Sequence, residues 1–350
     1  RMGTEYPAVT TSQSGLFAGG YDWDFTANAN QGIVPLLQGT NRSELSVGRV
    51  IIPVNMEVND QLTVGASIDY VWAGLDMVMT LSGAQFAGML GQGLVTPNAA
   101  FGANMPTTLG SAQLSFSDDS DYTGEAKGSG FGAKLGFTYQ VNKQLSLGAS
   151  YHSKTNISDL SGNGSMAMDI NGDGTSDSTM NGEFKVRDFQ WPSTIALGMS
   201  YKPNKQWMFN ADFKRINWSE TMENFNMTFT SGPASVDLTL PQNWEDQNVV
   251  MLGTEYRYND QFAVRAGANI ASNPIPDADV NPLFPATTEK HYMLGFGYNF
   301  DKEQSIDFSL THAPEVTVTG SGTLNSGLEI SHSQTNWQLL YTYKWGVVRK

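Results

Sequence analysis

The strongest constraint on this chain is a hydrophobic period of two. In residues 62–72 one face carries Leu62, Val64, Ala66, Ile68, Tyr70 and Trp72, and the other carries Thr63, Gly65, Ser67 and Asp69. Residues 131–141 repeat the pattern: Phe131, Ala133, Leu135, Phe137, Tyr139 and Val141 oppose Gly132, Lys134, Gly136, Thr138 and Gln140. The same reading holds for 262–270, 292–300, 306–310 and 337–345. Successive side chains of a strand point to opposite faces, so each run predicts a strand with one apolar and one polar side. Apart from 306–310 the runs are about ten residues long, the length that crosses a bilayer as a tilted strand.

The punctuation between runs is also regular. Asn59-Asp60, Asn142-Lys143, Asn204-Lys205, Asn259-Asp260 and Asp301-Lys302 each separate two alternating runs. Asn and Asp tolerate positive φ and favour tight hairpins. Between these turns lie long connections near 76–128, 158–186, 219–247, 271–289 and 317–334, rich in Gly, Ser, Asn, Thr and Pro. Tight turns at one end and long loops at the other predict an all-β transmembrane antiparallel barrel of the bacterial outer membrane. In lipid every backbone polar group must find an internal partner, which a closed barrel provides. A soluble sandwich or propeller also alternates, but it does not need all its tight turns on one side or aromatic edges on its apolar face.

Composition agrees. Only 15% of the 350 residues are charged, yet no apolar run approaches the roughly 18 residues of a membrane helix. The net charge of −14 argues against nucleic acid as a partner. The absence of Cys removes thiol chemistry and disulfides. Five tight turns join ten strands, and a last strand over 335–345 makes eleven. Single-chain bacterial barrels have even strand numbers. Residues 1–30 hold no signal peptide, and 1–40 suggest only a strand end and a Gly/Asn-rich loop. The expectation is therefore one barrel domain over 1–350, lacking its first strands.

The 76–128 connection contains a helix signal. Ser82 and Gln85 have capping-box spacing, and Phe86, Met89, Leu90 and Leu94 follow at helical spacing. With Leu81, these residues either pack on the barrel rim or form one wall of a groove for an apolar substrate. Residues 50–126 and 216–256 contain no Lys or Arg. A carboxylate site usually offers such a partner, so a neutral ligand fits these loops better than a fatty acid anion. Asp169, Asn171, Asp173, Thr175 and Asp177, with Gly174 at the sixth position, match the start of a Ca²⁺ loop. Met180 stands where a bidentate Glu belongs, so a solvated Asx-rich loop is the alternative to a structural Ca²⁺ site. No other cofactor is expected. Pro274, Pro276, Pro282 and Pro285 predict a rigid connection. Asp69, Lys134, Asp212, Arg257 and Arg265 fall on polar strand faces and are expected to line the lumen. The four His are scattered, and no nucleophile is marked, so an enzyme is not expected.

From about Glu44 to Trp345 the sequence resembles the FadL-type long-chain fatty acid and aromatic hydrocarbon transporters of Gram-negative outer membranes. The resemblance is carried by 58–65, by Tyr70-Val71-Trp72-Ala73, by Gln206-Trp207 with Asn217-Trp218-Ser219, and by 248–265. It continues in 273–277, 282–285 and 289–295. It implies fourteen strands and an N-terminal hatch, so that the hatch and about three strands would be absent here. It also implies capture of hydrophobic molecules in a loop groove, transfer to a lumenal pocket and lateral exit. Outer-membrane lipid and lipopolysaccharide would surround a monomer. A general porin, or a structural or adhesive barrel, is the competing function.

Overall fold

A computed structural model of the chain describes the backbone of Met2–Pro7 and residues 40–345, apart from 119, 121–122, 282, 284–286, 323–324 and 326–327. The Gly/Asn-rich segment before residue 40, together with Pro282 and Pro285, lies outside the described residues. The first elements are β1 (Met2–Pro7), β2 (Thr40–Glu57), β3 (Leu62–Ser82), α1 (Gly83–Gly91), β4 (Val95–Pro97), α2 (Ala99–Ala103) and β5 (Ser111–Phe116). Then come β6 (Ala126–Gln140), β7 (Leu145–His152), β8 (Asn156–Ile157), β9 (Leu160–Asp169) and β10 (Ser178–Arg187). β11 (Thr194–Tyr201), β12 (Trp207–Ile216), β13 (Asn224–Ser231), β14 (Ala234–Pro241) and β15 (Gln247–Arg257) follow. The chain closes with β16 (Phe262–Ala271), β17 (Lys290–Asn299), β18 (Gln304–Thr319) and β19 (Glu329–Tyr343).

Two groups of strands share one connected antiparallel sheet. Among the described residues eleven strands form the barrel wall, paired in the order β2, β3, β6, β7, β11, β12, β15, β16, β17, β18 and β19. β1 pairs with β2 through Met2↔Leu45 to Pro7↔Thr40. In the wall the apolar faces point outward. Ile68 is 62% exposed and Leu135 is 60% exposed, whereas Asp69 is fully buried. This inverts the polarity of a protein dissolved in water, and it is what lipid on the outside requires. On β6 the exposed aromatics Phe131 and Tyr139 bound the apolar stretch. They bracket a run of nine residues, within the roughly 9–11 with which a tilted strand crosses a bilayer. Among the described residues no helix is long and apolar enough to cross a membrane.

The five tight turns share one mechanism. The side-chain oxygen of Asn59 accepts from the N–H groups of Gln61 and Leu62, both at 2.9 Å. Asn142, Asn204, Asn259 and Asp301 each do the same for the residues two and three positions on. The expected positive φ is absent there, since the only non-glycine residues with positive φ among those described are Asp188 and Asn243. Asx side chains mark these turns because they satisfy backbone donors, not because they relieve backbone strain.

Three of the long connections, 76–128, 158–186 and 219–247, are built of strands and short helices rather than irregular loop. β5, β9, β10, β13, β14 and β4 continue the ladder from the upper half of β3, each pairing with the next. They form a cap over one mouth of the barrel, and their apolar faces point inward. β3 makes the change of polarity within one strand. Its inward face reads Ser67, Asp69, then Val71, Leu75, Met77, Met79 and Leu81, and the last five are essentially inaccessible. The lumen side is polar at membrane level and apolar above it.

Candidate functional site

The cap encloses a core of methionine and aromatic side chains. Phe184 on β10 lies between Phe116 of β5 and Phe229 of β13, with ring centroids 4.9 and 4.7 Å away. Met77, Met79, Met166 and Met227 are buried around them. Thioethers are flexible and polarizable, so such a core adapts to irregular apolar shapes. None of the three phenylalanines was expected at the site. The signal was present in the alternation of Ala112, Leu114 and Phe116 and of Phe225, Met227 and Phe229.

α1 forms where the capping box predicted it. Gln85 N–H donates to Ser82 Oγ at 3.2 Å, and Ser82 N–H donates to Gln85 Oε1 at 2.7 Å. The helix bridges β3 and β4 and closes the side of the cap. Leu81, Phe86 and Met89 are buried in the core, while Leu90 and Leu94 pack against it partly covered. The five predicted groove residues are therefore brought together, in a packed interior.

Three cations at the cap are paired with carboxylates, whereas Lys185 of β10 is exposed between the buried Phe184 and Val186 and so faces away from the core. Arg42 lies 2.9 Å from Glu44, Arg187 3.4 Å from Asp237 and Lys127 3.9 Å from Asp118. Asp76 is buried and accepts from Glu125 N–H at 2.7 Å and Asp118 N–H at 3.1 Å, and its burial holds its carboxyl above the usual range. At the barrel rim Asp246 accepts from Ser219 Oγ and pairs with Arg215, both at 2.7 Å. The Ser219 hydroxyl holds this carboxyl below the usual range, aided by Ser219 N–H and Arg215 and opposed by burial. A lowered acid pKa stabilises the fold above the unfolded pKa, and that contribution is lost as pH falls through the folded value. Melting temperature is therefore expected to fall on acidification below the ordinary carboxylate range. Asp246→Asn should flatten that slope; an unchanged pH profile in the variant would refute the assignment.

The predicted lumen residues form two ion-pair groups. Asp69 Oδ2 lies 3.1 Å from Lys134 Nζ and 3.2 Å from Arg49 Nη1, and Asp69 Oδ1 accepts from Ser67 Oγ at 2.8 Å. Across the lumen wall Glu255 bridges Arg257 and Arg265 at 2.7 and 2.8 Å, and Arg265 reaches Asp307 at 2.7 Å. Asp212 is on the same inward face of β12 but joins neither group. The second group lines a vestibule of about 950 Å³ toward the tight-turn end, with Lys143, Lys202 and Lys205 at its edge.

The Asp-rich loop between β9 and β10 folds on itself. Asp169 is buried and accepts from Gly172 and Gly174 N–H at 2.6 and 3.0 Å. Asp177 accepts from Ile170 N–H and Asn171 Nδ2, both at 2.7 Å. Asp173 bonds to Thr175. Among the described residues no group of three or more His, Cys, Asp or Glu side chains is arranged to hold a metal ion. The carboxylates cap the loop's own backbone.

Residues 39–342 match the family model of the outer membrane protein transport proteins (OMPP1/FadL/TodX). The chain belongs to this family. The family is described as one of outer-membrane transport proteins. The structure is similar to that of the Pseudomonas putida toluene transporter TodX, with a TM-score of 0.72 and 29% identity over 87% of this chain and 70% of that one. It is similar to the Ralstonia pickettii toluene transporter TbuX, with a TM-score of 0.70 and 29% identity over 90% of this chain and 71% of that one. A long-chain fatty acid transport protein of Salmonella typhi is 22% identical over 83% of this chain and 66% of its own length. Alkane uptake protein A of Marinobacter nauticus is 26% identical over 40% of this chain and 35% of its own length. The chain thus spans between about one third and two thirds of these two curated relatives.

Proposed function

We propose that this chain serves passive uptake of neutral hydrophobic molecules across the outer membrane. The observation that carries the reading is the cap: an adaptable Met/Phe interior stands over a polar lumen. Leu81, Phe86, Met89, Leu90 and Leu94 form its α1 side and would meet the substrate as the cap opens. An apolar interior lowers the cost of moving a lipophile past the polar outer leaflet. A general porin would instead need an open polar constriction at this level.

Neutrality follows from the charges. Arg42, Lys127, Arg187 and Arg215 around the cap each have a carboxylate partner, and Lys185 of β10 is exposed on the side away from the core, so holding an anionic head group beside the core would require breaking a pair. The alkane, toluene and fatty acid relatives span both ligand types, and the paired cations favour the neutral ones. The test is uptake into vesicles containing the protein. A fatty acid methyl ester or an alkane should enter at least as fast as the free acid, and sucrose should stay out. Free acid entering tenfold faster than its ester would sink the neutral-substrate reading; sucrose entry would establish the porin.

A further inference from the structure

The barrel mouth at the tight-turn end carries an arc of cations. Short turns face the periplasm in bacterial barrels, so this mouth opens there. Lys143, Lys202, Lys205 and Arg257 line the vestibule along the arc, and all four are exposed. Glu255 and Asp307, in the same vestibule, are taken up by Arg257 and Arg265. Asp260 is the remaining carboxylate of the lining. Among the described residues no carboxylate lies within ion-pair distance of the three lysines. Arg257 gives its Nε to Glu255 at 2.7 Å, and among the described residues its Nη groups bond to nothing. In a chain of net charge −14 this arc is a local exception.

Hydrogen bonds lace the turns of the arc into one rim. Lys202 N–H donates to Gln144 O at 2.7 Å, and Gln144 Nε2 donates to Pro203 O at 3.3 Å. Arg257 N–H donates to Gln206 O at 2.8 Å. The cations therefore project from a fixed base. Strand order sets their spread, because β7, β11, β12 and β15 are successive neighbours. Three strand spacings put about 14 Å between the Lys143 and Arg257 ends of the arc. The turns on either side differ: one carries Asp60, and the other carries Asp301 and Glu303 against Lys302. The excess of cations is confined to the arc.

We propose that this mouth docks an extended acidic segment of a periplasmic polypeptide. Alternate residues of an extended chain share a face about 6.6 Å apart, so three acidic side chains at alternate positions span about 13 Å and match the arc. A single small anion engages one end of the arc and leaves the other unused. The vestibule of about 950 Å³ gives the segment room to enter. Tyr201, beside Lys202, takes the outward, lipid-facing side, so the arc addresses the lumen mouth rather than lipid head groups. Opposite charge steers the segment to the mouth, most strongly at low salt. Docking here is independent of what the barrel carries.

The test is fluorescence anisotropy of short labelled peptides added to the full chain in neutral detergent at low salt. One peptide alternates Glu with Ser, and the other alternates Gln with Ser. Wild-type protein should bind the Glu peptide about tenfold more tightly, or 1.4 kcal/mol. Combining Lys143→Gln, Lys202→Gln and Lys205→Gln should bring the two peptides to within about twofold of each other. All three side chains are exposed, so the barrel should keep its fold. Lys185→Gln, on the outer face of the cap, should leave the preference as in the wild type. Raising the salt to about 0.3 M should weaken the Glu peptide and spare the Gln peptide. Equal affinities in the wild type would overturn the proposal without any variant. So would a preference that survives the triple change, or one lost equally in Lys185→Gln. Pyrophosphate that displaces the Glu peptide at a concentration below the peptide's own Kd would overturn the extended segment in favour of a small anion.

Discussion

Leu135→Arg is expected to destabilise the barrel by about 2–4 kcal/mol, the depth-dependent cost of a cation on the lipid face near the bilayer midplane. Leu135 lies midway between Phe131 and Tyr139 along β6, all three on the outward face. Its 60% exposure would make it an unremarkable surface position in a water-soluble protein. There the same change would be worth within about 0.5 kcal/mol. The two environments therefore predict effects several-fold apart at one residue. Thr138→Arg, three residues on but on the lumen face, is the matched control and should cost under about 1 kcal/mol, because lumen substitutions remain hydrated. Denaturant unfolding from lipid vesicles reads both. Small and equal effects would mean that the apolar band faces water, and the membrane reading of the fold would fall with it.

The alternation that defines the barrel wall is visible in sequence because lipid and lumen impose opposite demands on alternate residues. The cap was hidden for a related reason. Along β3 the outward face runs Ile68, Tyr70, Trp72, then Gly74, Asp76 and Thr80, while the inward face runs Ser67, Asp69, then Val71, Leu75 and Met77. The period of two never stops; its phase inverts where the strand leaves the membrane and begins to bury its inner side. A phase inversion looks like the end of a strand, so 76–128 read as a loop. The same reasoning recovers β5, β13 and β14, whose apolar residues alternate for only three or four positions each. α1 was legible because a capping box is a local signal. The arc of Lys143, Lys202, Lys205 and Arg257 was not. Its cations lie near three turns far apart in sequence, and these become one rim only because β7 pairs with β11 and β12 with β15, past the intervening cap strands. The lysines look like ordinary turn residues until that pairing sets them side by side.

The largest effect in the cap is expected at Phe184. Phe184→Ala should cost about 3–5 kcal/mol, since the ring is completely buried and its removal leaves a cavity bounded by the rings of Phe116 and Phe229. The loss should be local. Among the described residues β10 pairs with β9 and β13 alone, both cap strands, so no wall ladder runs through it. Amide exchange in β9, β10 and β13 should accelerate, while the wall strands β15 to β17 keep their protection. An apolar cavity of this kind stays dry and admits a benzene-sized guest. Benzene should therefore restore protection in the variant in proportion to its concentration, and it should do little to the wild type, where Phe184 already fills the space. If exchange rises equally in the wall and the cap, the two are one cooperative unit, and the cap cannot open for a substrate while the barrel stays folded. If it rises in the cap alone and benzene reverses it, the cap core is an apolar space that can exchange a side chain for a small lipophile, which is the physical requirement for capture at this end of the barrel.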